Sequence, residues 1–153
     1  EKAGAKILLD GRKAKAPAGL EGGNWLGATV LDQVATGSEA AADELFGPIL
    51  SVVRVKDLSH ALKIQASSPY GNACSVFTTN GALADRVARE ARAGMVGVNI
   101  GVPVPREPFS FGGINSSKFG HGDITGPQSL DFWTDLKKIS TKWEQQTDSN
   151  WMS

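Results

Sequence analysis

The chain has 153 residues, 41% hydrophobic and 21% charged, which suits one globular domain with a real core. Its 16 basic and 16 acidic residues cancel to a formal net charge of zero, which argues against a nucleic-acid binder because such proteins usually carry a net basic face. No apolar run approaches the roughly 20 residues of a membrane helix. One cysteine rules out an internal disulfide and fits a reducing compartment, and with only two histidines beside it we expect no metal site.

The first part of the chain predicts two short extended segments and one helical turn. Residues 6–10 and 25–30 are apolar and extended in pattern, and a loop rich in Gly, Ala, Pro and Lys separates them. Residues 37–44 suit one or two helical turns with Ser38 as the N-cap. Pro48 ends that turn, because proline disfavours the α conformation in the residue before it.

A regular alternation of strands and helices follows. We expect strands at 49–55, 73–78 and 95–100, separated by helices that begin after Asp57 or Ser59 and after Asn80 or Gly81. The first of these strands is nearly continuous in apolar residues, which is typical of a strand buried on both faces. Gly94 is expected to end the second helix in the C′ position that glycine favours. The alternation predicts an α/β fold with a parallel sheet.

The last part predicts a long loop, a helix and an edge strand. Residues 109–126 contain five glycines and three serines, which indicates a loop that is functional or disordered. Pro127 is expected at the first position of a final helix. Residues 137–143 alternate with period two and carry lysines, as an exposed edge strand does. We therefore divide the chain into residues 1–136, the strand at 137–143 and a polar tail at 144–153.

Four segments, in this order, resemble motifs of the aldehyde dehydrogenase superfamily. Residues 44–48 match its E-x-F-G-P motif, and residues 69–78 look like its P-Y-G-L-A…V-F-T segment. Residues 94–99 are similar to its G-x-V-x-V-N strand, and residues 111–120 resemble, imperfectly, its P-F-G-G-x-K-x-S-G loop. The resemblance covers nearly the whole chain. It implies the catalytic domain of an aldehyde dehydrogenase, incomplete here, with residues 137–143 as its oligomerisation strand.

Within the superfamily, the sequence is most similar to the CoA-acylating branch that acts on methylmalonate semialdehyde. Residues 70–72, 77–81 and 102–105 carry this likeness, as does Ser110, where most relatives have proline. The branch implies NAD as cofactor, coenzyme A as acyl acceptor and a small aldehyde as substrate. It also implies a homo-oligomer formed through residues 137–143.

The family's nucleophilic cysteine lies upstream of the E-x-F-G-P motif, in a segment that this chain does not contain. We therefore expect the chain, which begins at Glu1, to be the C-terminal part of a longer enzyme and to be inactive alone. Two alternatives stay open: a non-acylating dehydrogenase for another aldehyde, and a non-catalytic assembly module. A cytoplasmic location is expected, or the mitochondrial matrix for a eukaryotic source.

The resemblance assigns two residues to the cofactor. Glu44 would bind the nicotinamide ribose, because a carboxylate offers two acceptor oxygens to a pair of vicinal hydroxyls. Its alternative is an acidic residue on the surface. Phe46 would pack near the same ribose and nicotinamide, and its alternative is ordinary core packing.

Two further residues are assigned to the substrate. Phe111 would form part of the wall of the substrate tunnel, although a glycine-rich surface turn is an equal alternative. Asn99 ends a strand at the edge where α/β sheets bind ligands, or it hydrogen-bonds the loop backbone. Cys74, inside an apolar strand with no histidine nearby, is interpreted as a structural residue. His121 is interpreted as a solvated loop residue.

Overall fold

The computed structural model describes residues 4–143. The strands are β1 (Lys6–Leu9), β2 (Thr29–Asp32), β3 (Ile49–Ser51), β4 (Tyr70–Gly71), β5 (Ala73–Val76), β6 (Met95–Val98) and β7 (Ile114–Asn115). The α-helices are α1 (Glu39–Ala42), α2 (Leu58–Ser67), α3 (Gly81–Glu90) and α4 (Ser129–Trp133). A single 3₁₀ turn at Gly11–Lys13 follows β1.

The strands form three small sheets. In the first sheet β2 lies between β1, which is antiparallel to it, and β3, which is parallel. A second sheet pairs β5 with β6 in parallel, connected by α3, and a third pairs β4 with β7 antiparallel. The α/β class is confirmed. The parallel pairing is divided between two sheets, because β3 pairs with β2 rather than with β5.

The helix starts follow local capping chemistry. The Asp57 carboxylate accepts the His60 N–H at 2.7 Å, and the Asn80 side chain accepts the N–H groups of Ala82 and Leu83. Each side chain satisfies backbone donors that the first turn of a helix leaves unpaired. Ser38 also stands at an N-cap, but its hydroxyl bonds the Ala35 carbonyl instead.

Gly94 does not end α3, so that prediction is wrong. The helix stops at Glu90, with Ala91 as its C-cap. A Cβ at Gly94 would meet the Gly112 carbonyl oxygen at 2.5 Å, so glycine permits a close approach of two backbone segments there. Packing between distant segments, rather than a helix C-cap, explains this glycine.

The predicted double-sided burial of residues 49–55 is also wrong. Only Ile49–Ser51 form a strand, and Leu50 is 60% exposed. β3 lies at an edge of its sheet, and no described element covers the outer face of Leu50. Among the described residues, the buried apolar side chains are few: Val34, Ala84, Val87 and Met95.

The C-terminal part differs from the prediction in two ways. Pro127 precedes the final helix, whose N-cap is Gln128, so it is not the first helical residue. Residues 137–143 form no strand with any described segment, so the structure does not show the edge strand that their alternation predicts. The predicted polar tail at 144–153 lies outside the described residues. Within the described part of the chain, no helix is long and apolar enough to cross a membrane.

Candidate functional site

A short antiparallel pairing joins the turn at residues 69–72 to the long loop. β4 and β7 align Tyr70 with Asn115 and Gly71 with Ile114. The Gly71 N–H donates to the Ser117 hydroxyl oxygen at 3.0 Å. On its other side, the Gly71 carbonyl accepts the Gly94 N–H at 2.9 Å. The turn is therefore fixed to the loop and to the segment that enters β6.

Gly71 is the tightest point of this junction. It is buried, and a Cβ added to it would lie 2.6 Å from Ile114 Cγ1 and 3.0 Å from the Arg92 carbonyl oxygen. Carbon atoms in contact ordinarily lie about 3.5–4.0 Å apart. Only glycine allows this strand pair to close.

The junction forms the floor of a cavity of about 330 Å³, which we call the Glu44 cavity. A cavity of this size is at the lower end of the range for small-molecule sites. Its lining residues come from three separate parts of the chain: Glu44, Tyr70, Asn72, Phe111, Ser116 and Ser117. Two residues assigned from the sequence, Glu44 and Phe111, thus line one cavity although 66 residues lie between them in the sequence.

Glu44 lies between the end of α1 and the start of β3. Within residues 4–143, its carboxylate has no hydrogen-bond or ion-pair partner. The side chain is exposed, so it retains both acceptor oxygens for a ligand. An unpaired carboxylate on the rim of a cavity can accept two hydroxyl hydrogen bonds from a sugar.

Phe46 does not join this cavity. Its side chain is 96% exposed, which excludes the alternative of core packing among the described residues. An exposed phenyl group of this kind is available to pack on a ligand or another chain segment. The structure places no described residue over it.

Asn99 performs a structural task at the ends of β5 and β6. Its side-chain amide donates to the Thr78 carbonyl at 3.0 Å, and its side-chain oxygen accepts the Thr78 N–H at 2.8 Å. Its φ of 56° lies in the left-handed region, which asparagine tolerates better than most residues. Asn99 does not line the Glu44 cavity, so the geometry favours the loop-bonding alternative stated for it.

Cys74 lies in β5 and is half-buried. Burial raises the pKa of its thiol, which keeps the sulfur protonated and weakly nucleophilic near neutral pH. It lines a neighbouring cavity that also contacts Glu44. The geometry agrees with a structural cysteine. His121 is exposed, as expected of a solvated loop residue.

Sequence reasoning missed four lining residues, namely Tyr70, Asn72, Ser116 and Ser117. The first two lie in a segment that resembles a family motif but to which the sequence assigns no site role. The two serines reach the cavity because they follow β7, which pairs with the distant strand β4. The Ser116 N–H also donates a hydrogen bond to the Pro69 carbonyl at 3.0 Å. The proline and glycine of the turn were the available signal, since both mark special backbone geometry.

Comparison with known proteins places the chain in a family. The sequence model of the family described as "Aldehyde dehydrogenase family" matches residues 1–139 of the chain. The chain is 43% identical, over 145 residues, to the methylmalonate-semialdehyde/malonate-semialdehyde dehydrogenase [acylating], mitochondrial, of Rattus norvegicus; the match covers 95% of this chain and 27% of the rat protein. The chain thus spans about a quarter of the length of the curated relatives that it matches.

Solved structures agree with this result. The methylmalonate-semialdehyde dehydrogenase of Oceanimonas doudoroffii matches with a TM-score of 0.83 and 36% identity, covering 95% of this chain and 30% of that one. A Mycobacterium tuberculosis aldehyde dehydrogenase complexed with NAD⁺ matches with a TM-score of 0.75 and 28% identity, covering 95% and 29%. The chain belongs to the aldehyde dehydrogenase family.

Proposed function

We propose that this chain is the C-terminal part of the catalytic domain of an NAD-dependent, CoA-acylating methylmalonate-semialdehyde dehydrogenase. The observation that carries the proposal is the Glu44 cavity, where an unpaired carboxylate and the Phe111 wall meet in a chain of this family. Identity to relatives named for this activity supports the acylating branch. Ser110 and residues 102–105 support the same branch by resemblance.

The Glu44 carboxylate fits the nicotinamide ribose of NAD. It has no partner among residues 4–143, so binding the two ribose hydroxyls would break no existing bond. When bound, NAD supplies the acceptor for the hydride that leaves the substrate. Glu44 would orient the ribose, and Phe46 would pack beside it. Such orientation matters because displacements of about 1 Å can cost a hundredfold in rate.

Phe111 would form one wall of the aldehyde site and help to exclude water from it. The nucleophilic cysteine that this chemistry requires lies in a segment upstream of Glu44. The overall reaction converts methylmalonate semialdehyde, coenzyme A and NAD⁺ to propionyl-CoA, carbon dioxide and NADH. Decarboxylation consumes one proton at the carbon that carried the carboxylate, and the coenzyme A thiol releases one proton when the thioester forms, so atoms and charge balance.

Residues 137–143 are proposed to pair with a second copy of the enzyme. Ile139 and Trp143 are 79% and 90% exposed, and this segment is not paired as a strand within the described chain. Exposed strand-forming segments need a partner or a guard. We propose a homo-oligomer on this basis, in the cytoplasm or, by analogy with the mitochondrial rat relative, in the mitochondrial matrix.

Glu44→Gln in the full-length protein tests the cofactor assignment. We expect kcat/KM for NAD to fall about tenfold to a hundredfold, because the amide offers one acceptor oxygen in place of two. Glu39→Gln is the matched control, since Glu39 is an exposed glutamate on α1 that does not line the cavity. Equal kinetics in the two variants would remove Glu44 from the site.

The isolated chain of residues 1–153 is expected to form no NADH from an aldehyde and coenzyme A. The full-length protein is expected to form NADH through repeated turnovers only while coenzyme A is present. Activity of the isolated chain would contradict the assignment of the nucleophile to an upstream segment. An acid product formed without coenzyme A would instead identify a non-acylating dehydrogenase.

A further inference from the structure

An ion pair lies behind the Phe111 wall. Lys118 Nζ and Asp123 Oδ1 are 2.8 Å apart, and the two side chains are only 27% and 21% exposed. The i,i+4 pair of Arg89 and Asp85 on α3 is 76% and 60% exposed. Water screens the attraction between exposed charges, so an exposed ion pair contributes little interaction energy, whereas a partly buried pair is screened less and holds its geometry more strongly.

The Asp123 carboxylate occupies the space beside the Gly112 backbone. A Cβ built on Gly112 would collide with Asp123 Oδ1 and would lie 2.9 Å from its carboxyl carbon. Two residues further along, the Thr125 hydroxyl oxygen accepts the Phe111 N–H at 3.0 Å. The Phe111 and Gly112 backbone is therefore held directly against residues 123–125.

A second cavity, of about 230 Å³, lies on this side of the wall. Lys118 and Asp123 line it, together with Phe119 and Phe132. Three residues line both this cavity and the Glu44 cavity: Asn72, Phe111 and Ser117. The wall that contains Phe111 thus has the Glu44 cavity on one side and the ion pair on the other.

We propose that the Lys118–Asp123 pair positions Phe111 for aldehyde binding. Lys118 holds the Asp123 carboxylate against Gly112, and the carboxylate with Thr125 fixes the backbone on which the Phe111 ring is carried. Lys118 and Asp123 act through Phe111, so they are positioning residues and not catalytic ones. The proposal rests on the assignment of Phe111 to the aldehyde wall.

The test compares variants of the full-length protein by steady-state kinetics and by hydrogen–deuterium exchange. For Asp123→Asn and Lys118→Gln, we expect KM for the aldehyde to rise about tenfold to a hundredfold while KM for NAD stays unchanged. We also expect exchange in residues 109–113 to increase about tenfold, since one charge-assisted bond is lost. Lys118→Arg keeps the ion pair and is expected to behave as the unaltered protein does.

Asp85→Asn is the matched control, because it removes an exposed ion pair of the same charge type. Thr125→Val gives an independent variant, which removes the acceptor of the Phe111 N–H and should also raise KM for the aldehyde. Asp123→Asn kinetics that equal those of Asp85→Asn would overturn the proposal. So would faster exchange at 109–113 with an unchanged KM for the aldehyde.

Failure of the proposed function would look different. If the unaltered full-length protein does not oxidise aldehydes, that function is wrong, and the exchange measurement still decides whether the ion pair orders residues 109–113. Unchanged exchange in Asp123→Asn, Lys118→Gln and Thr125→Val would then overturn the positioning role.

Discussion

Gly71→Ala should open the junction that forms the floor of the Glu44 cavity. The new methyl group would lie 2.6 Å from Ile114 Cγ1, 3.0 Å from the Arg92 carbonyl oxygen and 3.3 Å from the Ile114 carbonyl oxygen. The Ile114 side chain can rotate away, but the Ile114 carbonyl belongs to the β4–β7 pair, and the Arg92 backbone is held by two hydrogen bonds to the Gln65 side chain. β4 and β7 must therefore separate.

The magnitude follows from packing and from two hydrogen bonds. Overpacking costs about 1–3 kcal/mol. Weakening the bonds at 3.0 Å to Ser117 and at 2.9 Å from Gly94 adds about 1 kcal/mol. The sum of about 2–4 kcal/mol corresponds to about 30- to 700-fold faster amide exchange through local opening.

Hydrogen–deuterium exchange of the full-length protein measures this change in peptides that span residues 69–73 and 113–118. Gly22→Ala is the matched control, because a Cβ there meets no atom within 4 Å. Exchange in Gly71→Ala equal to that in the control would refute the claim that backbone contact at Gly71 fixes the cavity floor. The account also requires kcat/KM for the aldehyde to fall in Gly71→Ala alone.

Three further predictions concern residues outside the cavity floor. Asp32→Asn should lower stability at neutral pH, because hydrogen bonds from Arg54 and from the Gln33 N–H hold the Asp32 pKa below its ordinary value. This stabilisation exists above about pH 4 and is lost as pH falls through the lowered pKa. The thermal midpoints of the variant and the unaltered protein should therefore converge in acid. Asn99→Ala should destabilise the ends of β5 and β6 by about 1–3 kcal/mol, and Asn99→Gly should do so by less. Both variants lose the hydrogen bonds to Thr78, but only alanine is strained at a φ of 56°. Equal amide exchange at Thr78 in the two variants would show that φ strain has no part. Cys74→Ser should retain activity. In the unaltered protein, mass spectrometry should find that iodoacetamide alkylates Cys74 more slowly than an unfolded thiol, because burial raises the pKa of Cys74. Rapid labelling of Cys74 at neutral pH would contradict this prediction.

The structure follows the sequence best where the physics is local. Asp57 and Asn80 cap their helices with their own side chains, a contact made within three residues, so the sequence alone identifies them. Gly94 was misread because its constraint comes from the Gly112 backbone, which the local pattern cannot show. Leu50 was predicted to be buried, yet it lies on an edge strand whose outer face is uncovered in the described chain.

The candidate site divides in the same way. Family motifs identified Glu44 and Phe111, and the structure places both on one cavity. Ser116 and Ser117 could not be found from the sequence, because they reach the cavity through a pairing between segments 46 residues apart. The sequence alone also could not predict the Lys118–Asp123 ion pair, because the position of this pair behind Phe111 depends on how the glycine-rich loop folds back on itself.

The most direct test of the central claim is to identify the product made by the full-length protein. Methylmalonate semialdehyde, NAD⁺ and coenzyme A would be supplied together, and the acyl-CoA would be measured by mass spectrometry beside NADH absorbance. The account predicts propionyl-CoA and NADH in equal amounts, with no continued turnover when coenzyme A is omitted. NADH formed with a free acid and no acyl-CoA would contradict the acylating assignment, and no NADH from any aldehyde would contradict the dehydrogenase itself.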